Sequence, residues 1–124
     1  MNKVIFKGNI ANNIEKRTTK DGKDVATFNL AIRRSIKNKE GNYEADFIKC
    51  VAFGNNATLI TKYFQKGSGI IIEGQLRTGS YEKNGEKVYT TEVIVERVEF
   101  VDKLEKNPYE EMSKKVEEDF EFPF

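Results

Sequence analysis

Two phenylalanines and a lysine stand at alternate positions of one short apolar segment. Phe47, Lys49 and Phe53 fall within residues 45–54. Successive side chains of a β-strand point to opposite faces, so these three share one face. Val51 falls on this face as well, and the other face carries Ile48, Cys50 and Ala52. One face can therefore pack into a core, while the other presents two rings and a cation to a ligand.

Nucleobases are the ligand that such a face fits best. Every base has a π-face, so an aromatic side chain contributes about 1–3 kcal/mol per stacked base whatever the sequence. Tyr81 is a third candidate ring, in a polar segment just before Asn84. Basic residues in the same regions are candidate phosphate contacts: Arg33, Arg34, Lys37, Lys39, Lys49, Arg77, Lys83 and Lys87. The pattern predicts a surface that holds bases by stacking and the backbone by charge.

The elements that must position these residues are mostly strands. Alternating or strand-rich patterns predict five strands, at residues 3–10, 25–34, 45–54, 70–76 and 88–100. Residues 55–67 change period and predict one helix with an Asn cap, a buried face and Gly67 as its stop. The Asn84-Gly85 pair predicts a tight hairpin. This order predicts an all-β fold, a five-stranded Greek-key OB barrel with one short helix between strands three and four.

Composition argues against several other classes of protein. The chain has 124 residues, no histidine and one cysteine, so the common nucleophile–base pairs, zinc sites and internal disulfides cannot form. We expect no cofactor, no metal and no enzymatic activity. No apolar run approaches the roughly 20 residues of a membrane-spanning helix, and the first residues lack a signal-peptide pattern. We therefore expect no membrane partner and a cytoplasmic, nucleoid-associated protein.

Charge divides the chain into two parts. Residues 1–103 carry 18 Lys/Arg and 13 Asp/Glu, a net +5, and residues 104–124 carry 3 and 7, a net −4. We expect residues 1–103 to form the OB domain and residues 104–124 to form a short linker and a flexible acidic tail. The tail ends in a candidate protein-interaction tip: Asp119, Phe120, Glu121, Phe122, Pro123 and Phe124. Three phenylalanines so close together are typical of a docking peptide.

The body resembles the bacterial single-stranded DNA-binding protein family in segments that run in order along its length. They include Asn2-Lys3-Val4-Ile5, Val25-Ala26-Thr27-Phe28, Ala45-Asp46-Phe47-Ile48-Lys49-Cys50-Val51, Tyr63-Phe64-Gln65-Lys66-Gly67-Ser68, Glu73-Gly74-Gln75-Leu76-Arg77-Thr78 and Tyr89-Thr90-Thr91-Glu92-Val93. Matches spread this widely are more specific than any single motif. The features also fit a small variant from a Gram-positive bacterium, a phage or a mobile element.

The resemblance implies base stacking by the residues at Phe47, Phe53 and Tyr81. It implies a homotetramer that wraps single-stranded DNA, and a C-terminal tip that recruits replication, recombination and repair proteins. This chain departs from the family at Ile36, a stacking position that here cannot stack. Its linker is short and charged, and Phe120 and Phe122 make its tip unusually aromatic.

Two other functions fit the same residue pattern. An OB protein that binds RNA would use similar rings and would also contact the 2′-hydroxyl. An adaptor module would use the exposed rings to bind protein, and Phe47 and Phe53 would then belong to a protein interface.

Overall fold

The structure, a computed structural model, describes residues 1–101, which form six strands and one helix. In chain order these are β1 (Val4–Ile10), β2 (Glu15–Thr18), β3 (Asp24–Lys37), β4 (Tyr43–Phe53), α1 (Asn55–Tyr63), β5 (Gly69–Lys83) and β6 (Glu86–Phe100). The predicted domain boundary after residue 103, the linker and the interaction tip at residues 119–124 lie outside the described residues. Within residues 1–101, no helix has the length and apolar character needed to cross a bilayer.

The strands form one sheet that closes on itself. Its order is β1-β5-β6-β4-β3-β2, and an additional pairing of β1 with β3 closes the sheet into a barrel. The pairing of β4 with β6 is parallel, whereas the other pairings are antiparallel. Both β1 and β2 pair with β3, at successive stretches of that strand, and together they serve as the first strand of the barrel. The predicted five-stranded Greek-key OB barrel, with a helix before its fourth strand, is therefore confirmed.

Several boundaries differ from those predicted. The short strand β2 was not predicted, because its four residues are all exposed and give no apolar alternation. It forms by pairing with β3, from Glu15 opposite Thr27 to Thr18 opposite Asp24. Helix α1 ends at Tyr63 and not at Gly67. Its N-cap is Gly54, without a side-chain cap, so the predicted Asn cap is wrong.

The hairpin between β5 and β6 is longer than the apolar pattern indicated. Both strands continue to a two-residue turn, where Lys83 pairs with Glu86. Asn84 and Gly85 have φ of 53° and 80°, the left-handed backbone that such a turn requires. The predicted hairpin at this pair is therefore confirmed. The turn and the pairing beside it keep the polar ends of β5 and β6 in strand conformation, although these residues have little strand preference of their own.

The core lies inside the barrel and under the helix. Phe28 and Leu30 of β3 are fully buried. The predicted apolar face of the helix is confirmed, since Ala57 and Ile60 are also fully buried, and α1 packs against β3, β4 and β6. The Asn56 side-chain amide donates to the Glu96 carbonyl over 3.1 Å and ties α1 to β6. Helix and core together fix the inner face of each strand, which leaves the outer face free for binding.

Candidate nucleic-acid interface

The three candidate rings lie outside the core. Phe47 is 69% exposed, Phe53 is 42% exposed and Tyr81 is 52% exposed. The intervening positions of β4 turn inward, and Cys50 and Ala52 have no exposed surface. The alternation read from the sequence therefore separates Cys50 and Ala52 from Phe47, Lys49 and Phe53. Val51, between Lys49 and Phe53 on the ring face, is an exception, because it is only 8% exposed.

Strand register places Tyr81 on the same face of the sheet as the two phenylalanines. Residues directly opposite one another in paired strands share a face. Lys49 of β4 stands opposite Glu92 of β6, and Glu92 stands opposite Arg77 of β5. Tyr81 follows Arg77 by four residues in the same strand, so an even step returns it to that face. Tyr81, on the long β5–β6 hairpin, therefore lies on the same outer face as Phe47 and Phe53 of β4.

An acidic side chain lies between two of the candidate cations on this face. The Lys49 ammonium is 3.8 Å from a Glu92 carboxylate oxygen, and Arg77 is the cross-strand neighbour of Glu92 on the other side. Lys49 remains exposed. Because Glu92 offsets only one of the two cations, these three side chains together carry a net positive charge beside the rings.

Arg34, a candidate phosphate contact from the sequence, is paired with two carboxylates. Its guanidinium donates to Asp46 over 2.8 Å and to Glu44 over 3.1 Å, across the β3–β4 hairpin. Hydrogen bonds from Arg34 lower the pKa of Asp46 below its ordinary value, and the positive charge acts in the same direction against a desolvation effect that raises it. Arg34 is thus neutralised by two carboxylates, whereas its neighbour Arg33 lies on the opposite face.

The remaining predicted cations divide between the faces. Lys83 lies on the Tyr81 face, two residues farther along β5 and opposite Glu86. Lys87 pairs with Glu82 on the other face of this hairpin, and its ammonium is 5.6 Å from the centre of the Tyr89 ring. Lys39 lies in the turn that joins β3 to β4, where Asn38 accepts bonds from the backbone of Glu40 and Asn42.

Two further residues join this surface that the sequence did not single out. Lys7 of β1 lines a groove with Arg33 of β3, and they are brought together by the closure of the barrel. A long-range pairing of this kind leaves no local signal. Tyr43 lies at the start of β4, four residues before Phe47 and on the same face. Extending the β4 alternation by one more step would have found it.

Comparison with known proteins agrees with this geometry. The chain is an OB barrel with an aromatic and basic outer face, and it belongs to the single-strand binding protein family, whose model matches residues 1–101. Similar proteins include "Single-stranded DNA-binding protein 1" of Staphylococcus aureus (strain Mu50 / ATCC 700699), 40% identical over 86% of this chain and 69% of that protein. A "Single-stranded DNA-binding protein" of Bacillus cereus is 42% identical over 82% of this chain and 61% of that protein. Among solved structures, the "Plasmodium falciparum SSB complex with ssDNA" is similar, with a TM-score of 0.75 and 27% identity, covering 82% of this chain and 96% of that one.

Proposed function

We propose that this chain binds single-stranded DNA with little sequence preference, by stacking bases on Phe47, Phe53 and Tyr81. The observation that carries the proposal is the common outer face of these three exposed rings, flanked by cations. Membership of the family supports it, as do relatives named for single-stranded DNA binding and the similar complex that contains ssDNA. Binding protects the strand, and no bond is made or broken.

The cations suggest where the phosphates lie. On the ring face they are Arg33, Lys37, Lys49, Arg77 and Lys83, with Lys7 in the adjoining groove. Arg34 is held by two carboxylates and Lys87 faces the other side of its hairpin, so we place the strand away from both. Lys39, in the turn before β4 begins, would contact a DNA strand that extends past Tyr43. Charge on one face favours one continuous path.

A titration with fluorescein-labelled oligothymidylate tests this path. We expect Phe47→Ala to weaken binding about fivefold or more, because a stacked base is lost. Phe47→Tyr is the matched control, since it keeps a ring at the same position, and it should bind nearly as the wild type does. Unchanged affinity in Phe47→Ala and Phe53→Ala, with loss of a protein complex instead, would indicate the adaptor function.

The same titration with RNA separates the other alternative. A protein that reads bases by stacking and the backbone by charge does not require a 2′-hydroxyl, so we expect the DNA strand to bind at least as tightly as the RNA strand of equal length. Stronger binding to RNA would identify an RNA-binding OB protein.

Recruitment of replication, recombination and repair proteins is proposed for the C-terminal tip. Residues 117–124 combine four carboxylates with three phenylalanines, a pattern that can fill an apolar pocket ringed by basic residues. Capture from a bacterial extract by the immobilised chain, compared with Phe124→Ala, tests this role. The variant should lose proteins of these classes that the wild type retains; capture of the same set by both chains would exclude a docking role for Phe124.

The assembly proposed from the family resemblance is a homotetramer. Sedimentation equilibrium of the full chain should then give four times the chain mass. A monomer at micromolar concentration would contradict it and would leave each barrel to bind DNA alone.

A further inference from the structure

The β3–β4 hairpin carries an aromatic residue at its outer end. Tyr43 is the first residue of β4 and is 45% exposed. It lies on the face of Phe47 and Phe53, because the positions of the three residues differ by even numbers. At about 3.3 Å per residue, Tyr43 lies about 13 Å beyond Phe47 along the strand. The row of outward rings on β4 therefore has three members.

Two cations gather around this ring. The Arg33 guanidinium carbon is 4.6 Å from the ring centre, and the Lys37 ammonium nitrogen is 5.5 Å from it. Lys37 is also the direct cross-strand partner of Tyr43. Cations within about 6 Å of an aromatic ring are attracted by its negative face, so Tyr43 holds both side chains on its own side of the hairpin.

The opposite face of the hairpin holds its arginine in ion pairs. There the Arg34 guanidinium is paired with Glu44 and Asp46, so its charge is offset by two carboxylates. Ile36 lines the same groove as these carboxylates, together with Lys37 and Lys39. A phosphate backbone is therefore attracted more strongly to the face where Arg33 and Lys37 lie beside Tyr43 than to Arg34.

We propose that Tyr43 is a further DNA-binding residue, which takes a base at the outer end of the β4 row and positions Arg33 and Lys37 for the adjoining phosphates. Bases stack on aromatic rings and on guanidinium planes, so the Tyr43–Arg33 pair offers a stacking unit with built-in charge. This inference rests on the proposed function and extends the strand path from the barrel to the end of the hairpin.

Three variants of the full chain test the proposal with labelled oligothymidylate. Tyr43→Leu should bind about fivefold or more weakly, whereas Tyr43→Phe should bind nearly as the wild type does. Tyr89→Leu is the matched control: Tyr89 is also an exposed tyrosine beside a lysine, but it lies on the other face of its hairpin. It should leave affinity unchanged.

Salt dependence gives a second readout. Each phosphate contact contributes about 0.7 to the slope of log affinity against log salt for a single strand. Tyr43→Leu should therefore lower that slope, because Arg33 and Lys37 lose their support, while Tyr43→Phe should keep it. Photocrosslinking of wild-type protein to bromodeoxyuridine-substituted DNA should also label the peptide that contains Tyr43. This experiment does not depend on the folding of a variant.

The outcomes separate this inference from the proposed function. If the wild-type chain does not bind single-stranded DNA, both the proposed function and the role of Tyr43 are wrong. Wild-type binding that Phe47→Ala weakens and Tyr43→Leu leaves unchanged overturns the role of Tyr43 alone. An equal loss in Tyr43→Leu and Tyr89→Leu, or crosslinks confined to Phe47, Phe53 and Tyr81, overturns it as well.

Discussion

Cys50 shows how strongly position in the barrel controls side-chain chemistry. It shares β4 with the exposed rings, but its side chain points inward and has no exposed surface. Burial raises the pKa of its thiol to about 12, because the thiolate would lose its hydration. A buried protonated thiol is unreactive, so Cys50 contributes to packing and not to chemistry.

We expect native Cys50 to resist a thiol reagent such as dithiobis(nitrobenzoate) at pH 8 and to react once urea unfolds the chain. Ile36→Cys provides an internal control, since that position is 80% exposed and its thiol should react at once in the same molecule. Rapid reaction of both thiols in the folded variant would mean that β4 opens readily.

The pairing of Arg34 with Asp46 gives a pH-dependent contribution to stability. The folded pKa of Asp46 is lowered, so the pair stabilises the protein above the unfolded pKa and this contribution is lost as pH falls through the folded value. Arg34→Gln should raise the Asp46 pKa in a carboxyl-carbon NMR titration, and the stability difference from wild type should vanish once the pH falls below the folded pKa of Asp46. Arg33→Gln, one residue away on the opposite face, should leave the Asp46 pKa unchanged.

The residues of the candidate site can be predicted from the sequence where they alternate along one strand. They cannot be predicted where their neighbours and their face depend on the pairing of two strands. Phe47 and Phe53 follow from alternation within β4. Arg34 looked like any basic residue, because its two carboxylate partners lie ten and twelve positions away across a hairpin. Lys87 is a candidate phosphate contact from the sequence alone, but the face it occupies depends on the register that the Asn84-Gly85 turn imposes.

Among the elements, β5 and β6 depend on close contact between their backbones. Gly74 lies at a register shift in β5, and a Cβ built there would stand 2.1 Å from the Ile94 carbonyl oxygen. Neither backbone can move without disturbing the ladder that joins the two strands. A side chain at this position therefore conflicts with the pairing itself.

Gly74→Ala should destabilise the fold by about 1–3 kcal/mol, as overpacking does elsewhere, measured as a lower urea midpoint. Gly79→Ala is the matched control in the same strand. Its nearest atom is the Thr90 hydroxyl oxygen at 3.1 Å, the end of a side chain that can rotate. Equal stability of the two variants would show that β5 and β6 can separate at Gly74 without cost.

Strand order followed from the sequence more readily than strand length. Apolar alternation marks the part of each strand that covers the core, and it stops where the hairpins leave the barrel. Residues 77–83 are all exposed and weak in strand preference, yet they pair up to the turn. Their conformation is set by the partner strand and the turn, neither of which can be read from local periodicity.

At the scale of the whole molecule, charge is divided between a body of +5 and a tail of −4. Tail carboxylates and DNA phosphates are alternative anions for the same cations, so a tail near the ring face would compete with DNA. Such competition is electrostatic and weakens with ionic strength, since charges are screened over about 8 Å at physiological salt.

Deletion of residues 117–124 should therefore strengthen binding to oligothymidylate at low salt and have progressively less effect as salt rises. The deletion removes four carboxylates together with the aromatic tip. Replacing Phe120, Phe122 and Phe124 by serine keeps every carboxylate, so this variant should bind DNA as the wild type does and lose only its protein partners. Fluorescence anisotropy across a salt series measures both chains. Marked weakening after the deletion would show that the tail supports DNA binding and does not compete with it.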